Sequence, residues 1–306
     1  MPNLILTYQC HNHCEFCFVE APNDSPQLSL SAVKTLLPFL RSFGRDTLHL
    51  LGGEPTLNPA FLPILQCLLG EGFQVKIFTN GHLSPDLVHQ LQCLPDEDFH
   101  FCVNRTNRRL TPAIINFYQK LGYRVQLGVT FFQINQSAEH IYREILEYRL
   151  RPEFRVGIAL PIWPHFQNAY LHPDEYDQVA GQIFRLFTQV IPLGLRPEFD
   201  CGFPDCFFSD EQKNFLEANN IEFHSNCGII PDLRPDLTAI PCFPLARFAV
   251  PVSSSSRWNL LRQQLTQQWQ ALQFKSLFMK CQDCEAFYTG RCCGGCAALR
   301  LTEPEI

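Results

Sequence analysis

Residues 3–17 read NLILTYQCHNHCEFC, a strand-like apolar run that breaks off into three thiols, Cys10, Cys14 and Cys17, within eight residues. The next such run, TLHLLGGEPTLNP at 47–59, also passes from apolar alternation into polar punctuation, here Gly52-Gly53-Glu54-Pro55. Outward from these two runs, four more strand patterns follow: FQVKIFTN (73–80), FHFCVN (99–104), RVQLGVTFF (124–132) and FRVGIAL (154–160). Helical patterns fill the gaps, at 30–44, 59–72, 84–94, 111–122 and 138–150, with a sixth at 174–191. Ser84-Pro85 and Thr111-Pro112 set a capping residue before a first-turn proline, and Gly44, Gly72 and Gly122 mark helix ends. Pro38 is an awkward interior residue that predicts a kink or a later start.

Strand and helix in alternation predict an α/β fold with a parallel sheet. Six units form an open, partial (β/α)6 three-quarter barrel, in which ligands sit at the C-terminal ends of the strands. Cys10 to Cys17 follow the first strand, Gly52 to Pro55 the second, Asn80 the third and Asn104 the fourth, so the polar punctuation falls on one rim. Ordinary turns account for Asn80-Gly81 but not for the thiol triplet. After about Pro197 the alternation dissolves into Pro, Gly and Cys. The expected division is a barrel over 1–196 and a small cysteine-rich extension over 197–306. There WNLLRQQLTQQWQALQ reads as an amphipathic helix.

The chain of 306 residues carries a net charge of -6 and is 46% apolar, which argues against a nucleic acid or an anionic membrane as partner. The start lacks a secretory pattern and no apolar run is long enough to span a membrane, so a cytoplasmic protein is expected. In that reducing compartment fifteen cysteines point to metal rather than to disulfides. Three lie at the front and nine after position 200; Cys67, Cys93 and Cys102 fall inside apolar patterns and read as core.

Three cysteines within eight residues suit three irons of a cubane, leaving the fourth open. A zinc site completed by His11 or His13 is the alternative. The residues resemble the radical S-adenosylmethionine (SAM) superfamily, whose Cys-x3-Cys-x2-Cys signature with an aromatic before the last Cys is matched by Cys10, Cys14, Phe16 and Cys17. Its Gly-Gly-Glu-Pro motif is matched by Gly52, Gly53, Glu54 and Pro55. The resemblance covers residues 3 to 160. It implies a [4Fe-4S] cluster whose open iron chelates SAM, with Gly52 and Gly53 bringing backbone close to the methionine amine, Glu54 as its negative partner and Phe16 against the adenine. Thr79 and Asn80 suit the same rim; Asn104 takes the ribose-binding place, and Arg105, Arg108 or Arg109 the carboxylate. The implied chemistry is reductive cleavage of SAM to a 5′-deoxyadenosyl radical that abstracts hydrogen from a substrate.

The thiols after position 200 resemble the SPASM and twitch extensions of that superfamily, which bind auxiliary [4Fe-4S] clusters. Cys227, Pro241-Cys242 and the run Cys281, Cys284, Cys292, Cys296 follow the same order. The gap from Cys284 to Cys292 is seven residues instead of five, and the final cysteine of a full SPASM domain is lacking; Cys201 and Cys206 are candidates to replace it. Zinc-ribbon spacing is the alternative reading. One or two auxiliary clusters, and Cys292 or Cys293 as ligand, stay open, with spacing favouring Cys292. The resemblance further implies a ribosomally made precursor peptide as substrate, crosslinked, excised or epimerised. Implied partners are a separate small leader-recognition protein and a flavodoxin or ferredoxin as electron donor. A small molecule (sugar, nucleoside or cofactor precursor) is the alternative substrate, and a non-catalytic metal-cluster protein the alternative role. No acid, base or radical relay is singled out.

Overall fold

The computed structural model describes residues 2–19, 25–95, 97–106, 109–162, 167–273 and 279–300. All six expected strands form: β1 (Asn3–Thr7), β2 (Thr47–Gly52), β3 (Gln74–Thr79), β4 (Phe99–Asn104), β5 (Val125–Phe131) and β6 (Glu153–Ile158). A seventh, β7 (Arg196–Phe199), straddles the boundary expected at 196/197. Between them run α1 (Leu30–Arg41), α2 (Phe61–Gly70), α3 (Pro85–Gln92), α4 (Pro112–Leu121), α5 (Glu139–Tyr148) and α6 (Tyr176–Val190). The strands from β1 to β7 pair in parallel and in chain order, the partial barrel that the alternation predicts.

The thiol-rich region does not stand apart from this sheet. Its short β8 (Asp232–Leu233) pairs in parallel with the free edge of β1. A hairpin of β8, β9 (Thr238–Ile240) and β10 (Val250–Pro251) then extends the sheet to ten strands. Four further helices follow in the region, α7 (Asp210–Ala218), α8 (Trp258–Gln273) and the short α9 (Glu285–Tyr288) and α10 (Ala297–Arg300), with α8 on the span expected to be amphipathic.

Alternation along each strand divides the sheet into two faces. Leu48, Leu50, Val75, Ile77, Phe101 and Val103 are at most 1% exposed and pack with the helices in one core. The opposite, luminal face carries His49, Lys76, Phe78, His100 and Arg155. Arg155 lies over the Phe78 ring at 4.6 Å, donates to the Cys102 sulfur at 3.4 Å and pairs with Asp200.

Two local expectations are corrected. Pro38 neither starts nor ends α1, which runs unbroken from the cap Ser29, whose hydroxyl accepts the Ala32 N–H at 3.2 Å. Burial of Val33, Leu36, Phe39 and Leu40 outweighs the missing hydrogen bond. Cys93 is exposed, because α3 ends at Gln92 and the thiol caps the helix on its outer side; Cys102 is buried and Cys67 half-buried.

Candidate active site

The loop after β1 and the turn after β2 are locked together through backbone. Gly53 N–H donates to the Thr7 carbonyl at 2.9 Å and Glu54 N–H to that of Gln9 at 2.7 Å. So close an approach excludes side chains. A Cβ on Gly53 would stand 2.4 Å from the Gln9 oxygen and 2.5 Å from that of Tyr8. One on Gly52, where φ is +149°, would stand 2.1 Å from the Thr7 oxygen. The pair of glycines therefore fixes where the thiol loop leaves the sheet.

Cys10, Cys14 and Cys17 face one another across that loop. Desolvation, then Cys17 and Cys10, push the Cys14 thiol up to about 11; burial raises Cys17 as well. Such thiols ionise only when a cation compensates them. The loop is prepared for that charge, since the Asn12 N–H points at the Cys10 sulfur and the Val19 N–H at the Cys17 sulfur, both at 3.4 Å. N–H groups aimed at sulfur fit an iron-sulfur cluster. Among the described residues, no three His, Cys, Asp or Glu side chains converge on a single-ion position.

Glu54 has an internal role. It is 0% exposed, and its carboxylate accepts the Thr56 N–H and hydroxyl (3.2 and 2.6 Å), the Thr79 hydroxyl (2.9 Å) and the Asn80 N–H (2.8 Å). Burial raises its pKa despite those donors. Glu54 thus ties the rim after β2 to the rim after β3, and a ligand amine reaches it only by displacing one of these bonds. Pro55, buried, opens the short turn that carries Thr56. Asn80, held by that carboxylate, extends its amide to 3.8 Å from the Cys10 sulfur.

The other rim residues divide. Phe16 stacks on Phe132, centroids 5.2 Å apart, so the flat surface beside the thiols is a pair of rings; in the sequence Phe132 is only the last residue of a strand pattern, and it lies just past the end of β5. Asn104 is exposed at the end of β4, its amide donating to Thr130 at 3.1 Å and its carbonyl accepting the Thr106 hydroxyl at 2.7 Å. Arg105 is engaged inside the fold. It is 2% exposed and already grips Glu144 through two bonds of 2.9 and 2.8 Å. Arg108 lies outside the described residues, and the Arg109 carbonyl accepts from Arg105 at 3.4 Å.

Among the thiols after position 200, Cys242 is half-buried and its ionisable neighbours include Cys296, Cys227 and Cys201. Cys201 is exposed as a residue, yet desolvation of its thiol pushes it up to about 11, with Cys296 acting in the same direction. Cys206 has different neighbours, Cys292 and Cys284, and Cys284 N–H donates to the Cys281 carbonyl at 3.3 Å. The adjacent pair also separates. The Cys292 sulfur accepts N–H groups from Asp205 (3.4 Å) and Gly294 (3.3 Å). Cys293, although the Cys227 N–H meets it at 3.2 Å, turns its own hydrogen toward the Ser225 and Gly295 carbonyls at 3.3 and 3.4 Å. A buried acid that no motif signals, Asp232, accepts from the Asn3 amide at 2.6 Å; burial raises it to about 7.

Comparison with known proteins agrees with this geometry. Residues 4–153 match the Radical SAM superfamily model. A probable GTP 3′,8-cyclase of Saccharolobus solfataricus is 35% identical over 91 residues, 29% of this chain and 30% of that protein. An S-adenosylmethionine-dependent nucleotide dehydratase of Selenomonas ruminantium is 33% identical over 82 residues, 26% of this chain and 30% of that one. These matches thus span under a third of the relatives' length. Likeness to solved structures extends over the whole chain. Streptococcus suis SuiB bound to its precursor peptide SuiA gives a TM-score of 0.67 at 16% identity, covering 97% of this chain and 71% of SuiB. Native anSMEcpe with bound AdoMet and a Kp18Cys peptide gives 0.70 at 16%, covering 100% and 92%. At such identity these likenesses establish the fold.

Proposed function

Residues 4–153 belonging to the radical SAM superfamily, we propose that the chain is a radical SAM enzyme whose substrate is a ribosomally made peptide. The observation that carries the reading is the rim itself: three thiols on a loop that the Gly52-Gly53 backbone clamps to β2, with Asn80 reaching Cys10 at 3.8 Å. Cys10, Cys14 and Cys17 would hold a [4Fe-4S] cluster; with SAM bound and one electron supplied, that group provides the 5′-deoxyadenosyl radical for hydrogen abstraction. The chain's own part is placement. Backbone at Gly52 and Gly53 lines the amine end, the Phe16–Phe132 stack offers a flat apolar surface, and Asn80 and Asn104 offer polar atoms along the rim.

In this reading one set is Cys201, Cys227, Cys242 and Cys296 and another is Cys206, Cys284 and Cys292, joined by Cys281 through its turn with Cys284; each would suffice for an auxiliary [4Fe-4S] cluster. Cys206 takes the place of the final SPASM cysteine, and Cys293, its hydrogen committed to carbonyls, stays outside both sets. Anaerobically reconstituted protein is expected to hold about twelve irons, falling by about four in Cys206→Ser.

A peptide substrate is supported by the two solved neighbours, whose bound peptides lie on the same fold across nearly all of this chain. The nucleotide-named relatives favour a second reading, a nucleoside-like small molecule, although their matches cover under a third of the chain. Reduced enzyme with SAM is expected to form 5′-deoxyadenosine, and Cys14→Ala to form none. A synthetic precursor peptide from the neighbouring reading frame should then change mass; no change, with turnover on nucleosides, refutes the peptide reading. No 5′-deoxyadenosine under any reductant refutes catalysis.

A further inference from the structure

Tyr176 opens α6 and is 5% exposed, yet its hydroxyl has no hydrogen-bond partner among the described residues. A buried phenol without a partner carries a desolvation penalty that an acceptor would remove. The surroundings of the side chain point to that acceptor. Its ring packs on Phe207 at 5.0 Å, next in sequence to Cys206, and the thiols close enough to act on it electrostatically are Cys296 and then Cys206. These two thiols fall in different sets of the preceding reading, so the phenol stands where the two sets meet. The turn carrying Cys206 also aims its Asp205 N–H at the Cys292 sulfur, so it already serves as a donor platform for sulfur.

We propose that Tyr176 donates its phenolic hydrogen to the sulfur shell of the auxiliary cluster held by Cys296 and thereby holds that cluster's reduction potential up. The inference rests on the auxiliary-cluster reading. A donor to cluster sulfur favours the reduced, more negative state, so removing it lowers the potential. No other residue has to move: phenylalanine fits the same space and keeps the packing on Phe207.

The test is a redox titration of the reconstituted holoenzyme followed by electron paramagnetic resonance. In Tyr176→Phe, the ratio of reduced to oxidised cluster at the wild-type midpoint of one auxiliary cluster should fall tenfold, equivalent to about 59 mV for a one-electron couple. The signal of the cluster held by Cys10, Cys14 and Cys17 should keep its midpoint. An exchangeable proton coupled to the auxiliary cluster should disappear with the hydroxyl. Should Tyr176→Phe fail to assemble, 3-fluorotyrosine at 176, a stronger donor of the same shape, should move the midpoint upward. Full auxiliary signals with an unmoved midpoint in either variant overturn the proposal. About four irons per chain in the wild type would overturn the auxiliary-cluster reading, and Tyr176's role with it.

Discussion

Replacing Gly53 by alanine tests whether the clamp between two loops sets the site. The added Cβ would meet the Gln9 and Tyr8 carbonyl oxygens at 2.4 and 2.5 Å and the Gln9 carbonyl carbon at 2.7 Å. An ordinary carbon–oxygen contact is close to 3.4 Å, so the loop must retreat by about 1 Å. All three atoms are backbone, and no rotamer change relieves them. The retreat stretches the bonds of Gly53 and Glu54 to Thr7 and Gln9, now 2.9 and 2.7 Å. Overpacking of this kind costs about 1–3 kcal/mol. A displacement of about 1 Å in a reacting constellation costs about a hundredfold in rate. Urea denaturation and 5′-deoxyadenosine formation by reconstituted enzyme read the two effects separately. Gly70→Ala is the control: nothing lies within 4 Å of its Cβ, at the end of α2, so stability should hold or rise slightly. Gly53→Ala with wild-type SAM cleavage at normal iron content would refute the clamp.

Three further outcomes follow from buried polar groups. Glu54→Gln should cost about 1–3 kcal/mol in urea denaturation, because either amide orientation sets an NH2 against the N–H of Thr56 or Asn80; an unchanged midpoint would show that the carboxylate does not hold the rim. Arg105→Met should cost about 3–5 kcal/mol by stranding Glu144, which also accepts from Tyr118 at 3.3 Å. The double variant with Glu144→Leu should recover most of that loss, and failure to do so would mean that Arg105 acts by packing. His49 and His100 are held neutral, lowered to about 3 and about 4, chiefly by burial. The unfolded chain therefore takes up protons first, and the stability present above pH 6.5 drains away as pH falls toward those values. At about 1.4 kcal/mol per pH unit per group, a loss of a few kcal/mol by pH 4.5 is expected. His49→Gln should flatten the slope of the urea midpoint against pH, and an unaltered slope would contradict the assignment.

The sequence by itself determined the partial barrel, because each strand and helix announces itself locally through apolar period and end signals, and parallel order follows from alternation. It also determined the three front thiols and the Gly-Gly-Glu-Pro turn, since their spacing within a few residues already fixes that they are close. Tertiary structure alone decided what depends on partners distant along the chain. The Glu54 carboxylate meets Thr79 and Asn80, and Arg105 meets Glu144, thirty-nine positions away. Cys206 has Cys292 and Cys284 among its neighbours while Cys201 has Cys242 and Cys296, although only four residues separate Cys201 from Cys206. The same holds for the edge of β1, which takes β8 from more than two hundred residues downstream. Local periodicity reports which side of an element is buried; which group buries it is settled only when the chain closes.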